Sequence, residues 1–272
     1  MKITVLVENT SDFLPTRHGL SLYIETELHK ILFDMGPDET FLQNAETLGI
    51  DLSTVDIAFL SHGHYDHGGG LAAFLEINHT AKVYLQKSAF LPHFSEDKKS
   101  ERDIGIDPAL KNHPQLVFAD TCQVIDSELT VFSGVTERHL FASSNRTLLM
   151  DSNGVHIPDD FAHEQSLIIT EYGTRALIAG CAHCGIVNIC RRAERICGAP
   201  MTHVLAGFHL SNPGRGTSEP EETVRAVGEE LALRPAQYFT CHCTGIPSYE
   251  RLREVLGERI RYASAGTVLT LQ

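Results

Sequence analysis

The chain has 272 residues, of which 42% are hydrophobic and 21% charged, the composition of a globular protein that can bury a substantial core. A formal net charge of -13 leaves no basic stripe that could neutralise a phosphate backbone, so nucleic acid is not expected as a partner. Seven cysteines are an odd number, which argues against a secreted disulfide framework and favours reduced thiols in a cytoplasmic protein. We find no secretory-signal pattern and no apolar run long enough to span a bilayer, so no membrane partner is expected either.

Short apolar runs separated by polar turns dominate the first part of the chain. The predicted elements, in chain order, are strands at 3–7, 20–25 and 31–33, a helix at 39–48, a strand at 55–60, a helix at 68–74 and a strand at 82–85. The first three strands are expected to form a meander. From about Lys87 to Pro114 the pattern is irregular, and no element is assigned there.

The second part of the chain repeats this order of strand, polar loop and helix. Its predicted elements are strands at 116–118, 129–131, 166–170 and 176–179, a helix after Gly185, a strand at 203–206, a helix at 219–233, a strand at 238–240, a helix at 248–256, and strands at 261–264 and 268–271 that form a final hairpin. We predict an α/β (α+β) fold made of one domain with two similar halves, about 1–120 and 121–272, in which helices cover both sides of two packed sheets.

Four side chains that bind metals well directly follow the strand predicted at 55–60. His62, His64, Asp66 and His67 fall within a single short loop, next to three consecutive glycines. Neutral imidazole and carboxylate suit zinc, and also manganese or iron. A lone histidine in such a loop would be interpreted as a surface residue, but four such groups together predict a metal site.

The run His62-Gly63-His64-Tyr65-Asp66-His67 resembles the H-x-H-x-D-H signature of the metallo-β-lactamase superfamily. Further segments are similar to its subgroup of dihydropterin-ribofuranosyl-aminobenzene phosphate synthases, namely 60–69, 180–188, 207–210 and 240–245. The resemblance implies an αββα four-layer sandwich and two divalent metal ions, zinc before manganese or iron. It also implies a small pterin-like or phosphorylated substrate.

The ligands are carried over from the same resemblance. It implies His62 and His64 on the first ion, Asp66 and His67 on the second, His183 completing the first site or bridging the two, and His242 completing the second. Asp34 matches a carboxylate that orients a ligand histidine, and the less favoured alternative is that it caps a turn.

The bridging ligand is open, because many members carry an aspartate where this chain has Gly180-Cys181-Ala182-His183. We favour His183 over Cys181, and His163 is a further candidate imidazole. A separate zinc site of four thiols, Cys181, Cys184, Cys241 and Cys243, is a rival interpretation of the same cysteines.

The implied activity is hydrolysis by water that the metal ions activate. Asp66 is expected to orient this water or carry its proton, and His209 to donate a proton to the leaving group, unless His209 is simply a core residue. Arg17, Arg102 and Arg146 are candidates for attracting an anionic substrate. A synthase-type transferase is the first alternative, followed by a di-iron oxidoreductase and a non-catalytic ligand-binding protein.

Overall fold

The computed structural model describes residues 1–96, 100–212 and 215–272. Within these ranges the helices are α1 (Thr40–Thr47), α2 (Tyr65–Gly68), α3 (Leu71–Ile77), α4 (Ile186–Cys197), α5 (Glu221–Ala232) and α6 (Ile246–Leu256). None of the helices in the described ranges is both long and apolar enough to cross a bilayer.

The strands of the described ranges alternate with these helices. They are β1 (Lys2–Val7), β2 (Ser21–Glu25), β3 (Lys30–Phe33), β4 (Ile57–Phe59), β5 (Lys82–Leu85), β6 (His93–Glu96), β7 (Glu101–Asp103), β8 (Leu116–Phe118), β9 (Cys122–Val124), β10 (Leu129–Ser133), β11 (Leu148–Ser152), β12 (Val155–Pro158), β13 (Gln165–Glu171), β14 (Thr174–Ile178), β15 (His203–Ala206), β16 (Ser211–Asn212), β17 (Thr217–Ser218), β18 (Gln237–Thr240), β19 (Ile260–Tyr262) and β20 (Val268–Thr270).

Two seven-stranded sheets form the centre of the fold. The first has the order β20-β1-β2-β3-β4-β5-β8, and the second β19-β18-β15-β14-β13-β10-β9. The predicted meander is confirmed, because β1, β2 and β3 pair antiparallel in sequence. The strands that follow, β4, β5 and β8, pair parallel to β3 and to one another, as do β14, β15, β18 and β19 in the second sheet.

The predicted final hairpin is wrong. Strand β19 pairs with β18 in the second sheet, whereas β20 pairs with β1 in the first. The intervening turn bonds to β1 instead of closing on itself: Gly266 N donates to Val5 O at 2.8 Å, and Val5 N donates to Thr267 O at 3.0 Å. The turn therefore carries the chain from one sheet to the other.

Helices cover the outer face of each sheet, which confirms the four-layer αββα sandwich. Alternate residues of one strand serve different layers: Val5 lies in the core between the sheets, and Leu6 packs outward with Phe41 of α1 and Phe74 of α3. Helices α4, α5 and α6 cover the second sheet, where Val187 and Val224 are fully or almost fully buried.

A smaller sheet of order β12-β11-β6-β7 lies outside these layers. Two of its strands fall in the irregular stretch 87–114, where no element is predicted, and residues 97–99 of that stretch lie outside the described ranges. Its strands are short, and three residues in a row are exposed in β7, so the apolar alternation that marks a strand is missing.

Candidate metal centre

Strand ends bring the candidate residues together. Asp34, His62, Cys181, Gly207 and His242 follow within three residues of the carboxyl ends of β3, β4, β14, β15 and β18 respectively. Within each sheet the strands concerned run parallel, so their carboxyl ends meet at one edge.

The loops at this edge hold unusual backbone conformations. Asp34, Ala182, His209 and His242 have positive φ values of 58°, 53°, 49° and 50°. Non-glycine residues are uncommon in this region, and such positions concentrate at functional sites. Gly63, inside the histidine loop, has another constraint, because a Cβ there would lie 2.3 Å from Ala89 O.

The donor atoms form two neighbouring groups. In the first, the Nε2 atoms of His62 and His183 are 3.3 Å apart, and a ring nitrogen of His64 lies within 4.8 Å of both ligand atoms. In the second, the Nε2 atom of His242 lies 3.3 Å from Asp66 Oδ2 and 3.3 Å from His67 Nε2. Histidines from both halves of the chain thus converge.

Each of four histidines has its Nδ1 atom against a protein oxygen. The pairs are His62 with Ser61 Oγ at 2.8 Å, His67 with Asp34 Oδ2 at 2.6 Å, His183 with Asn145 Oδ1 at 2.9 Å and His242 with Asn9 Oδ1 at 2.9 Å. The two amides are oriented by their other ends, since Asn145 Nδ2 donates to His183 O and Asn9 Nδ2 donates to His242 O. These oxygens accept the Nδ1 proton, which leaves Nε2 with a free lone pair in the neutral ring.

This arrangement fits a cation. Two unprotonated Nε2 atoms cannot hydrogen-bond to each other, yet His62 and His183 hold theirs 3.3 Å apart. In addition, His64 Nε2 is buried and has no hydrogen-bond partner among the residues that the structure describes. Imidazole and carboxylate are the donor set expected for zinc and its neighbours.

Asp34 connects the two histidine groups. Its Oδ1 atom accepts from Ser61 N at 2.7 Å, and Oδ2 accepts from Ser61 Oγ at 2.7 Å and from His67 Nδ1. Because the Ser61 hydroxyl donates to Asp34, it must accept from His62. One buried carboxylate therefore sets the tautomers of both His62 and His67, as expected for the positioning role predicted for Asp34.

Cys181 lies between the two groups. Its Sγ atom is 3.2 Å from His67 Nε2, and it falls within 4.8 Å of ligand atoms of His62 on one side and of His242 and Cys243 on the other. His183 belongs to the first group only. The geometry thus favours Cys181, which the sequence analysis ranked second, for the bridging place.

The profile of the metallo-β-lactamase superfamily matches residues 14–144. A structure described as a metal-dependent hydrolase of the β-lactamase superfamily aligns with a TM-score of 0.83 and 26% identity, over 100% of this chain and 99% of that one. Residues 14–144 thus match this superfamily, and the chain as a whole has the metallo-β-lactamase fold.

Two proteins of Methanocaldococcus jannaschii are similar to this chain over nearly their whole length. An uncharacterised protein is 29% identical over 93% of this chain and 94% of its own. The 7,8-dihydropterin-6-methyl-4-(β-D-ribofuranosyl)-aminobenzene-5'-phosphate synthase is 26% identical over 99% of this chain and 96% of its own.

Burial and neighbouring charges shift the pKa values of the donor side chains at this site. Burial, followed by neighbouring histidines, holds the pKa values of His62 and His183 well below the ordinary value. Burial would also lower the pKa of His67, but Asp34 and Asp66 overcome it and raise that pKa to about 9. Burial opposes ionisation of Asp66, yet the pKa of its carboxyl stays below the ordinary value because His67 and His242 lie beside it. Asp66 is therefore ionised at neutral pH.

His163 lies next to the first group, and one of its donor atoms lies within 4.8 Å of donor atoms of His64, His93 and Asp159. Its Nδ1 atom accepts from Gly63 N at 2.9 Å, and its Nε2 atom lies 3.2 Å from Asp159 Oδ2. Both ring nitrogens thus have protein partners, and Asp159 also pairs with His93 Nδ1 at 2.8 Å. The geometry favours His163 as a support of the histidine loop over the additional ligand predicted.

His209 lines the cavity above the donors, with its ring centroid 4.3 Å from that of His183. The Ser144 hydroxyl donates to His209 O at 3.0 Å and must therefore accept from His209 Nδ1, which is 2.9 Å away. Burial lowers the pKa of His209 to about 4, so the ring is neutral with its lone pair on Nε2. An acceptor role fits this tautomer better than the predicted proton donation.

Several residues at the site give no recognisable sequence signal. His18 Nε2 lies 3.4 Å from Asp66 Oδ2, beside His242, but it stands alone in the sequence. Asn9 and Asn145 are ordinary amides until their partners are known. Cys243 is close to Cys181, and the four-thiol zinc site is not formed, because no donor group of the described ranges contains Cys184 or Cys241.

Proposed function

We propose that the protein is a metal-dependent hydrolase with a two-ion centre, zinc foremost. The observation that carries this proposal is the 3.3 Å separation of the unprotonated Nε2 atoms of His62 and His183, with Cys181 between these atoms and the second donor group. The first ion would be held by His62, His64 and His183. The second would be held by Asp66, His67 and His242.

Two such ions, when bound, would lower the pKa of a water molecule and polarise the oxygen of a carbonyl or phosphoryl group. The surrounding side chains then orient the reactants. Asp66 is ionised and lies at the mouth of the site, where it can accept a proton from water. His209 Nε2 can accept a hydrogen bond from a hydroxyl or amine of the substrate.

The substrate we propose is small and phosphorylated or pterin-like. Support comes from the synthase of Methanocaldococcus jannaschii, whose name contains both a dihydropterin and a phosphate. The cavity over the donor atoms has a volume of about 100 Å³ and is lined by polar side chains such as Ser95, Ser144 and Asn212. We also propose a cytoplasmic location, since all seven cysteines are free.

A synthase-type transferase is the second candidate. The specific observation in its favour is the alignment with that synthase over 99% of this chain. In such a transfer the ions would act as Lewis acids and take up the negative charge of the group that leaves one substrate as the other forms the new bond, and Asp66 would accept the proton that the attacking group gives up.

The test is metal analysis followed by a substrate panel. Purified protein loaded with zinc is offered phosphomonoesters, phosphodiesters, carboxyl esters, thioesters and lactams, and separately a dihydropterin with a ribofuranosyl-aminobenzene phosphate. The hydrolase proposal predicts two zinc ions per chain and hydrolysis that His62→Ala and His242→Ala both abolish. Product formed only when both pterin and sugar phosphate are present would replace it by the transferase.

A further inference from the structure

We infer that Arg102, with Ser95 and Tyr65, forms a subsite for an anionic oxygen group of the substrate, a phosphate or a carboxylate. This inference rests on the proposed function, because the subsite opens into the cavity that contains the donor atoms. The substrate must then carry an anionic oxygen group at some distance from the bond that reacts.

The register of the small sheet directs Arg102 into this cavity. Strands β6 and β7 pair antiparallel with Ser95 opposite Arg102, so these two side chains share one face. Both line the cavity. Alternation places Glu101 and Asp103 on the other face, where Glu101 pairs with His156 and Asp103 Oδ1 accepts from Gly105 N at 2.7 Å.

An aromatic ring supports the guanidinium group of Arg102. Its Cζ atom lies 5.5 Å from the ring centroid of Tyr65, the residue between His64 and Asp66. Across residues 1–96, 100–212 and 215–272, no carboxylate forms an ion pair with Arg102. A cation held on an aromatic ring keeps its five N–H donors available for a ligand.

The charge of Arg102 acts on the cavity itself. Arg102 lines the cavity together with His64, Asp66 and His242, three of the donor residues. By contrast, Arg17 is paired with Asp38 at 2.8 Å on another surface. In a chain of net charge -13, Arg102 is therefore well placed to draw an anion towards the centre.

Arginine suits such a group because its planar fork matches two oxygens of a phosphate or carboxylate. The hydroxyl of Ser95 and the amide of Asn212, which line the same cavity, supply further donors. A substrate with a terminal phosphate or carboxylate would thus be fixed at two points, at the ions and at Arg102.

The test is direct binding, which needs no turnover. Zinc-loaded wild type, Arg102→Gln and Arg102→Lys are titrated calorimetrically with phenyl phosphate, benzoate and the uncharged dimethyl ester of phenyl phosphate. Arg225→Gln, on the exposed face of α5, is the matched control for the loss of one positive charge. Zinc content is measured for every variant.

We expect Arg102→Gln to lower the affinity for one of the two anions about 10- to 100-fold relative to the affinity for the neutral ester, as expected for the loss of a charged hydrogen bond. The anion affinity of Arg102→Lys should lie between those of Arg102→Gln and wild type, and the affinity of Arg225→Gln should equal that of wild type. The anion affected shows whether the group is a phosphate or a carboxylate. Equal anion affinity in Arg102→Gln and Arg225→Gln overturns the inference, whereas a failed substrate panel with this binding effect intact counts only against the proposed reaction.

Discussion

Replacing Asp34 by Asn should weaken binding of the second metal ion. The carboxylate is fully buried and accepts from Ser61 N, Ser61 Oγ and His67 Nδ1 at 2.7, 2.7 and 2.6 Å. The amide keeps one acceptor oxygen for Ser61 N, but its NH₂ group then faces the serine hydroxyl and the His67 ring. His67 must turn Nδ1 into an acceptor and carry its proton on Nε2, the atom intended for the metal.

The magnitude follows from what an orienting partner contributes. Loss of such a partner costs about 10- to 100-fold in metal affinity, or about 1.4 to 2.8 kcal/mol. The first ion should be affected less, because His183 keeps its own partner, Asn145. Asn145→Ala is the matched variant and should weaken the first ion more than the second.

Competition with a chromophoric chelator measures both affinities, and long-range nitrogen–proton NMR spectra report the tautomer of His67. Urea unfolding of the metal-free variants shows whether each still folds. If folded Asp34→Asn binds both ions with wild-type affinity, or if His67 keeps its proton on Nδ1, the assignment of ligand and partner is refuted.

Three further changes test neighbouring parts of the centre. Gly180→Ala would place a methyl carbon 2.2 Å from Ser61 Oγ, so it should lower the free energy of unfolding by about 1 to 3 kcal/mol and reduce zinc content; an unchanged urea midpoint would contradict this. Cys181→Ser should remove the sulfur-to-cobalt absorption band of cobalt-loaded protein, and its persistence would exclude Cys181 as a ligand. Metal-free protein should lose stability below about pH 6.5, by about 1.4 kcal/mol per pH unit for each buried histidine that only the unfolded state protonates. His62, His64 and His183 have such lowered pKa values. The raised pKa of His67 stabilises the folded state fully below about pH 6.5, and this contribution is lost as pH rises from there through about 9, so it changes little between about pH 6.5 and 5.0. Equal urea midpoints at about pH 6.5 and 5.0 would refute the expected loss of stability.

The parts of the fold that follow from sequence are those with strong periodicity. The meander of β1, β2 and β3 and the amphipathic α5 are confirmed because their apolar patterns are regular. The final hairpin fails for a different reason, since two strands joined by a tight turn are ordinarily neighbours. Only the hydrogen bonds of Val5 with the turn show that the chain changes sheet.

The candidate site, too, could be predicted from the sequence only in part. His62, His64, Asp66 and His67 are adjacent in sequence, so their spacing alone predicts a shared centre. Whether Cys181 or His183 lies between the groups depends on the turn at Ala182, whose φ of 53° separates the directions of its two neighbours. No local pattern encodes that turn.

The remaining contributors come from distant loops. His18 lies beside Asp66. Asn9 orients His242, although the two residues are 233 positions apart in the sequence. Single residues of this kind carry no spacing signal, so only the assembled fold identifies them.

Anomalous diffraction at the zinc edge from zinc-loaded crystals tests the central claim most directly. We expect two anomalous peaks per chain. One should lie within bonding distance of His62, His64 and His183, and the other within bonding distance of Asp66, His67 and His242. Anomalous peaks confined to other parts of the protein, with these six side chains free of metal, would contradict it.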